Sequence, residues 1–157
     1  MDGLEIREFR SNDLEEAAKL VQSFWELNTE FEPSIGLEEN ALELIKKDLQ
    51  KTLERQDLIV LVARTDLALV GVIRVELKEG NFRAPKRWGN IVEFYVLPRA
   101  RRKSVAKGLL DETLIRLGKK DIEIVTAEFP SQNIPAASFY ERNGFRSIQT
   151  VCAKNLT

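Results

Sequence analysis

The sequence predicts a single α/β domain, residues 1–157, built on one sheet of mixed strand direction. Three observations predict it. The apolar period switches repeatedly between 2 and 3.6 along the chain, in the order β-α-α-β-β-β-α-β-α-β. The run LIVLVAR (58–64) is almost continuously apolar, as a strand covered on both faces should be. With 157 residues and 43% hydrophobic composition, the chain has the length and apolar content for one core.

Each element has its own signal. LEIREFR (4–10) alternates apolar and polar residues and reads as a half-buried strand. Ser11 or Asn12 is placed to N-cap the next helix, where Leu14, Ala17, Ala18, Val21, Phe24 and Trp25 recur at helical spacing to about Asn28. TEFEPSIG (29–36) carries Pro33 and Gly36 and reads as a loop. A second amphipathic helix runs from Leu37 to about Arg55. LIVLVAR and ALVGVIRVELK (68–78) form a hairpin turning at Thr65-Asp66, and EGNFRAPKRWG (79–89) is a polar loop. NIVEFYVLP (90–98) is a strand ended by Pro98. A helix spans Ser104 to Gly118, a strand IEIVTAEF (122–129), and a short helix Pro135 to Asn143, stopped by Gly144. FRSIQTVCAKNL (145–156) reads as a final strand, able to pair across a homodimer although its sequence does not require this.

Composition excludes several kinds of chemistry. The chain has no histidine, so histidine serves neither as catalytic base nor as metal ligand. A single cysteine, Cys152, permits no internal disulfide and no cysteine-built metal site. Twenty-four bases against 25 acids leave a net charge of -1, unlike a dedicated duplex-binding protein. No apolar run approaches the ~20 residues of a membrane span, and the charged start MDGLEIREFR lacks a signal peptide's apolar segment. The expectation is a cytoplasmic protein without metal, membrane or nucleic-acid partners.

One local feature stands against this balanced charge. In RARRKSVAKGLL (99–110), Arg99, Arg101, Arg102, Lys103 and Lys107 crowd the junction between an apolar strand and a helix. The first turn of a helix leaves N–H groups unpaired at the positive end of its dipole, which suits a phosphate or pyrophosphate. Bases there oppose the dipole by ~0.3–1 kcal/mol each, and a bound anion would compensate. The alternatives are a solvated basic turn or a small nucleic-acid contact. A Rossmann nucleotide site is disfavoured because no G-x-G-x-x-G follows any strand.

The segment VLPRARRKSVAKGLL resembles the acetyl-coenzyme A signature of the GNAT N-acetyltransferases, R/Q-x-x-G-x-G/A after a strand ending in V-x-P. Val96 and Pro98 fall on V-x-P, Arg101 on R/Q, Ser104 on the first glycine and Ala106 on the final G/A. Serine in the glycine position is a departure, with a hydroxyl able to cap the helix or donate to a phosphate. NIPAASFYERNGF (133–145) resembles a second signature, N-x-x-A-x-x-x-Y-x-x-x-G-F, met by Asn133, Ala136 or Ala137, Tyr140, Gly144 and Phe145. Read without the family, Tyr140 is a packed helical aromatic and NGF a helix stop.

The resemblance implies a GNAT fold, with a twisted, mostly antiparallel sheet of six to seven strands and about four helices. It implies acetyl-CoA as co-substrate and direct attack by an amine. Cofactor contacts would come from the main chain at Phe94, Tyr95 and Val96, from Arg101, Arg102, Lys103, Ser104, Val105, Ala106 and Lys107, and from Asn133, Ala136 and Tyr140. Tyr140 would protonate the leaving sulfur. Glu93, which interrupts IVEFYV, is either the base acting through water or a structural carboxylate paired with a neighbouring base. The acceptor would lie between the loops 29–36 and 79–89, near Glu30, Phe31, Glu32, Phe82 and Trp88. An acetyl-CoA-binding sensor without turnover is the other function that these signatures allow.

Overall fold

The structure, a computed structural model, describes residues 3–157 except the side chains of Arg102 and Lys103. Five strands form one sheet in the order β1 (Glu5–Glu8), β2 (Leu58–Arg64), β3 (Leu69–Glu79), β4 (Arg87–Val96) and β5 (Val125–Ala127). The first three neighbouring pairs are antiparallel and β4–β5 is parallel. A parallel pair needs a crossover, and the helix α3 (Val105–Lys119) supplies it. Helices α1 (Leu14–Phe31) and α2 (Ala41–Thr52) pack together, and α4 (Ile134–Arg142) comes after β5.

The sheet is the shared wall of two cores. On one face, Ala17, Ala18 and Val21 of α1 and Leu49 of α2 pack on Val60, Val62 and Val72. On the other, Leu109, Leu110 and Leu117 of α3 pack on Leu61, Ile73, Val75 and Ile91. Both faces of β2 are therefore covered, which is why its sequence hardly alternates. Gly71 sets how closely α3 approaches: a Cβ there would lie 2.8 Å from Leu109 Cδ1 and 3.3 Å from Val96 Cγ2. That approach seats the start of α3 against the end of β4.

Several boundaries differ from expectation. The sheet has five strands rather than six or seven, because residues 145–156 form no strand. Phe145, Ile148 and Val151 recur every third residue, so a strand would split them between its faces. Ile148 and Val151 are accordingly exposed. Helix α1 runs on past Asn28 to Phe31, and α2 begins at Ala41, not Leu37. The hairpin β3–β4 continues to the pair Glu79–Arg87, leaving a loop of 80–86 where 79–89 was expected. The strand expected at 122–129 pairs only over Val125–Ala127. Neither Ser11 nor Asn12 caps α1. The buried Asp13 organises this turn instead, accepting from Arg10 N–H at 2.8 Å and from both arms of Arg7 at 2.7 and 2.9 Å.

Candidate active site

The site begins with an asymmetry in β4. Its first half pairs with β3 on one edge and β5 on the other, through Gly89–Val125, Asn90–Thr126 and Ile91–Ala127. The side chains lock this seam, with Thr126 Oγ1 donating to Asn90 Oδ1 at 2.8 Å. After Ile91 the β5 partner ends, and the outer edge of β4 opens. At the same point a β-bulge intervenes. Val75 pairs with Ile91 but Arg74 with Glu93, so Val92 is the extra residue.

Beyond the bulge, the direction of each main-chain group can be worked out from one bond. Leu97 N–H donates to Val70 O at 2.8 Å, which points Leu97 at β3. Backbone groups alternate sides along a strand. The N–H of Tyr95 therefore also faces β3, whereas those of Phe94 and Val96 face the open edge. Of the three amides expected to meet a ligand, two are aimed outward and Tyr95 is turned into the sheet. Arg101 independently marks the open edge, its Nε donating to Val96 O at 2.9 Å while its guanidinium lies over the Tyr95 ring, 5.5 Å from the centroid. Arg101 thus clasps the strand end.

A 3-10 turn, Pro98–Lys103, leads from the strand to α3. Ser104 adopts φ 58, ψ 26, the left-handed conformation. This is the position where the resembling signature carries glycine, and the backbone keeps a glycine's conformation under a serine, at a cost of ~1–2 kcal/mol. Of the two roles expected for the Ser104 hydroxyl, the helix cap is not made. Gly108 N–H donates to Ser104 O at 3.0 Å, which ties the start of α3 to this residue. The N–H groups of Val105, Ala106 and Lys107 precede it in the first turn, where a helix has no intrahelical acceptors of its own to offer. Val105 is buried and Ala106 half-buried against the core, so only their main chain can meet a ligand. Lys107 is paired with Asp111 at 3.0 Å. The Arg102 and Lys103 side chains lie outside the described residues.

Helix α4 provides the opposite wall. Asn133, 7% exposed, caps it by accepting Ala136 N–H at 3.1 Å, which occupies that amide and leaves the Asn133 amide nitrogen as a donor. Tyr140 is wedged among four rings: Phe129 stacked at 5.4 Å, with Phe94, Phe139 and Phe145 edge-on. Burial pushes its phenol well above the usual value, so it stays protonated. The helix then ends in a Schellman motif, with Phe145 N–H to Tyr140 O, Gly144 N–H to Glu141 O and Gly144 at φ 87. This turn brings Phe145 back onto Tyr140, with ring centroids 5.0 Å apart.

Glu93 points to the other face of the sheet, toward α1 and α2. It is 1% exposed and held by Arg74, with Nε donating to Oε2 at 2.8 Å and Nη2 to Oε1 at 2.5 Å. Trp25 Nε1 donates to Oε1 at 3.4 Å, and the third arm of Arg74 reaches Asp48. Burial alone would lower the Arg74 pKa, but Glu93 and Asp48 raise it above its ordinary value. Arg74, Trp25 and Asp48 are not evident from the sequence. Arg74 leaves one signal there, a charge interrupting LVGVIRVEL as Glu93 interrupts IVEFYV.

A groove of about 320 Å³ between α1 and the start of α2 is lined by Gln22, Glu26, Thr29, Leu37, Glu38 and Ala41. The acceptor residues expected from the sequence lie elsewhere than this groove. Glu32 is engaged by Ser34 Oγ at 2.5 Å, Phe82 is 92% exposed at a hairpin tip, and Trp88 sits under Arg83. Among the described residues, no group of three or more acids or cysteines is placed to hold a metal, and no helix is long and apolar enough to cross a membrane.

Comparison with known proteins bears on this arrangement. Residues 28–156 match the family model described as an acetyltransferase (GNAT) domain. No curated protein matches the chain. Among solved structures, the aminoglycoside 6'-N-acetyltransferase AAC(6')-Ih from Acinetobacter baumannii superposes with a TM-score of 0.79 at 15% identity, covering 99% of both chains. AAC(6')-Iy, an aminoglycoside N-acetyltransferase solved with CoA, gives 0.80 at 17%, covering 97% of this chain and 93% of its own. A predicted acetyltransferase from Clostridium acetobutylicum, solved with acetyl-CoA, gives 0.77 at 15%, covering 98% and 96%.

Proposed function

The chain belongs to the GNAT acetyltransferase family, and from that premise we propose that it is an N-acetyltransferase carrying the acetyl group of acetyl-CoA to a primary amine. The observation that carries this reading is the open half of β4. Two outward amides lie on it, a protonated tyrosine on α4 packs against its Phe94 ring, and the first turn of α3 follows its end.

Acetyl-CoA supplies an activated acyl group as its thioester. The residues fit it by type: the N–H groups of Val105, Ala106 and Lys107 suit a pyrophosphate, and the outward amides of Phe94 and Val96 suit amide and carbonyl acceptors. Asn133 adds a side-chain donor. Tyr140 holds a proton in an apolar enclosure and is the donor for a departing thiolate. Glu93 is the proposed proton acceptor. A carboxylate has about four acceptor positions; Arg74 takes two and Trp25 a third, which leaves one on Oε2 for a water relay. Amines, aminoglycosides among them, are the acceptor class to test, because Glu26 and Glu38 line the groove between α1 and α2 and would attract a cation.

The test is thiol release from acetyl-CoA with a panel of amines: N-terminal peptides, lysine peptides, polyamines and aminoglycosides. A rise in melting temperature with acetyl-CoA, together with amine-dependent thiol release, is the expected result. A rise in melting temperature without release from any amine leaves the non-catalytic binding protein instead. Protection by oligonucleotide rather than acetyl-CoA would reject both.

A further inference from the structure

The buried Arg74–Glu93 fork carries an inference that rests on the acetyltransferase reading and goes beyond it. The geometry points to Arg74 as a positioning residue: by gripping Glu93 across the bulge, it fixes both the proposed proton acceptor and the direction of the open strand end.

The placement supports this in three ways. Arg74 and Glu93 are directly opposite on β3 and β4, the first pair on the open side of the register shift at Val92. A bulge bends and twists its strand, and the residue next to it sets the course of the chain beyond. That chain is Phe94 to Val96. Second, both carboxylate oxygens are held in a bidentate fork, a geometry that lysine cannot reproduce. Third, Arg74 is itself anchored from α2 by Asp48 and Glu93 is touched from α1 by Trp25. One guanidinium therefore ties α1 and α2 to the open strand end. The pair is an expensive way to build a core: two charges in a dry interior stabilise little against apolar residues of similar size. A positioning role accounts for its presence where a packing role does not.

The test is Arg74→Lys, which keeps the charge and loses the fork. Amide NMR should show the Phe94 and Val96 signals displaced. Turnover should fall about 10²-fold, as misplacement of reacting groups does, with acetyl-CoA affinity within about threefold of the native value and the acidic limb of the kcat–pH profile altered. Asp48→Asn loosens Arg74 without touching Glu93 and lies half-exposed, so it tests the same idea if Arg74→Lys does not fold. A fall in kcat of several-fold is expected, with the same two signals displaced in the same direction. Arg55→Lys, which alters a surface fork with Asp57, is the control that should change nothing. Phe94 and Val96 signals at their native positions in a folded Arg74→Lys or Asp48→Asn protein would overturn the inference. If the native protein releases no thiol with any amine, the functional reading fails, while the amide positions still decide the role of Arg74.

Discussion

The two halves of β4 share one neighbour and differ in the other. From Gly89 to Ile91 the strand is clamped between β3 and β5, with Asn90 and Thr126 bonded across the seam. From Phe94 to Val96 it keeps β3 and loses β5. A sheet normally avoids an unpaired edge, because idle N–H and C=O groups cost free energy or invite foreign strands. This chain opens an edge in mid-sheet and surrounds it with Arg101, four aromatic rings and a helix start. The difference teaches that a binding edge here is made by ending one short strand early, and that the closed half serves as its support.

Substitutions can break this division of labour. The largest effect should come from Tyr140→Phe on the open half: turnover lower by ~10²–10⁴-fold, with acetyl-CoA affinity little changed. Steady-state kinetics beside calorimetry would check it, and unchanged turnover would remove Tyr140 as the proton donor. The same variant has an alkaline signature. Folding raises the Tyr140 pKa, so its contribution to stability is complete below the unfolded phenol value of about 10 and is lost as pH climbs through the higher folded value. Native protein should therefore lose stability above about pH 10 more steeply than Tyr140→Phe, as denaturant midpoints measured across that range would show.

On the clamped half, Ile91→Ala should cost about 2–5 kcal/mol by denaturant unfolding, since Ile91 is 2% exposed. Turnover per folded molecule should survive; its loss at full stability would show that the two halves are not separable. Gly71→Ala acts at the far end of the open half, opposite Val96. The methyl would push Leu109 and Val96 apart, destabilising by ~1–3 kcal/mol. Isothermal titration should show weakened acetyl-CoA binding, because the start of α3 shifts against β4.

Ser104→Gly is the smallest and the most pointed. Releasing the left-handed serine gains ~1–2 kcal/mol, and the freedom glycine adds to the unfolded chain takes back ~0.5–1. A net gain between about 0 and 1.5 kcal/mol is expected in the melting curve, without loss of acetyl-CoA binding. Weaker binding would mean that the hydroxyl itself touches the ligand.

How much of this is legible in the sequence depends on the range of the interaction involved. Tyr140, Gly144 and Phe145 are readable because a helix stop acts over a few residues, and the structure puts the expected Schellman turn there. The buried character of β2 is likewise local. The partnership of Arg74 and Glu93 is not, because it depends on hairpin register and on a bulge that shifts that register by one residue. A bulge leaves little mark on composition. Residues 145–156 are rich enough in β-prone types to suggest a strand, but those types do not share a face, and no strand forms. The serine at 104 suggests a side-chain cap or a phosphate contact; no cap bond forms, and its left-handed backbone is a property that residue type does not announce.

The brevity of β5 has a kinetic consequence. Strands β2, β3 and β4 are joined by short turns and can assemble from nearby sequence, whereas the β4–β5 contact must wait until the whole of α3 has been laid across the sheet. Three residue pairs then hold that late contact. In hydrogen-exchange terms, Val125–Ala127 should open long before Ile59–Ala63, which lie buried under both layers of helices. The wall of the cleft would then breathe while its floor stays shut, allowing a long, flexible ligand to enter without unfolding of the rest.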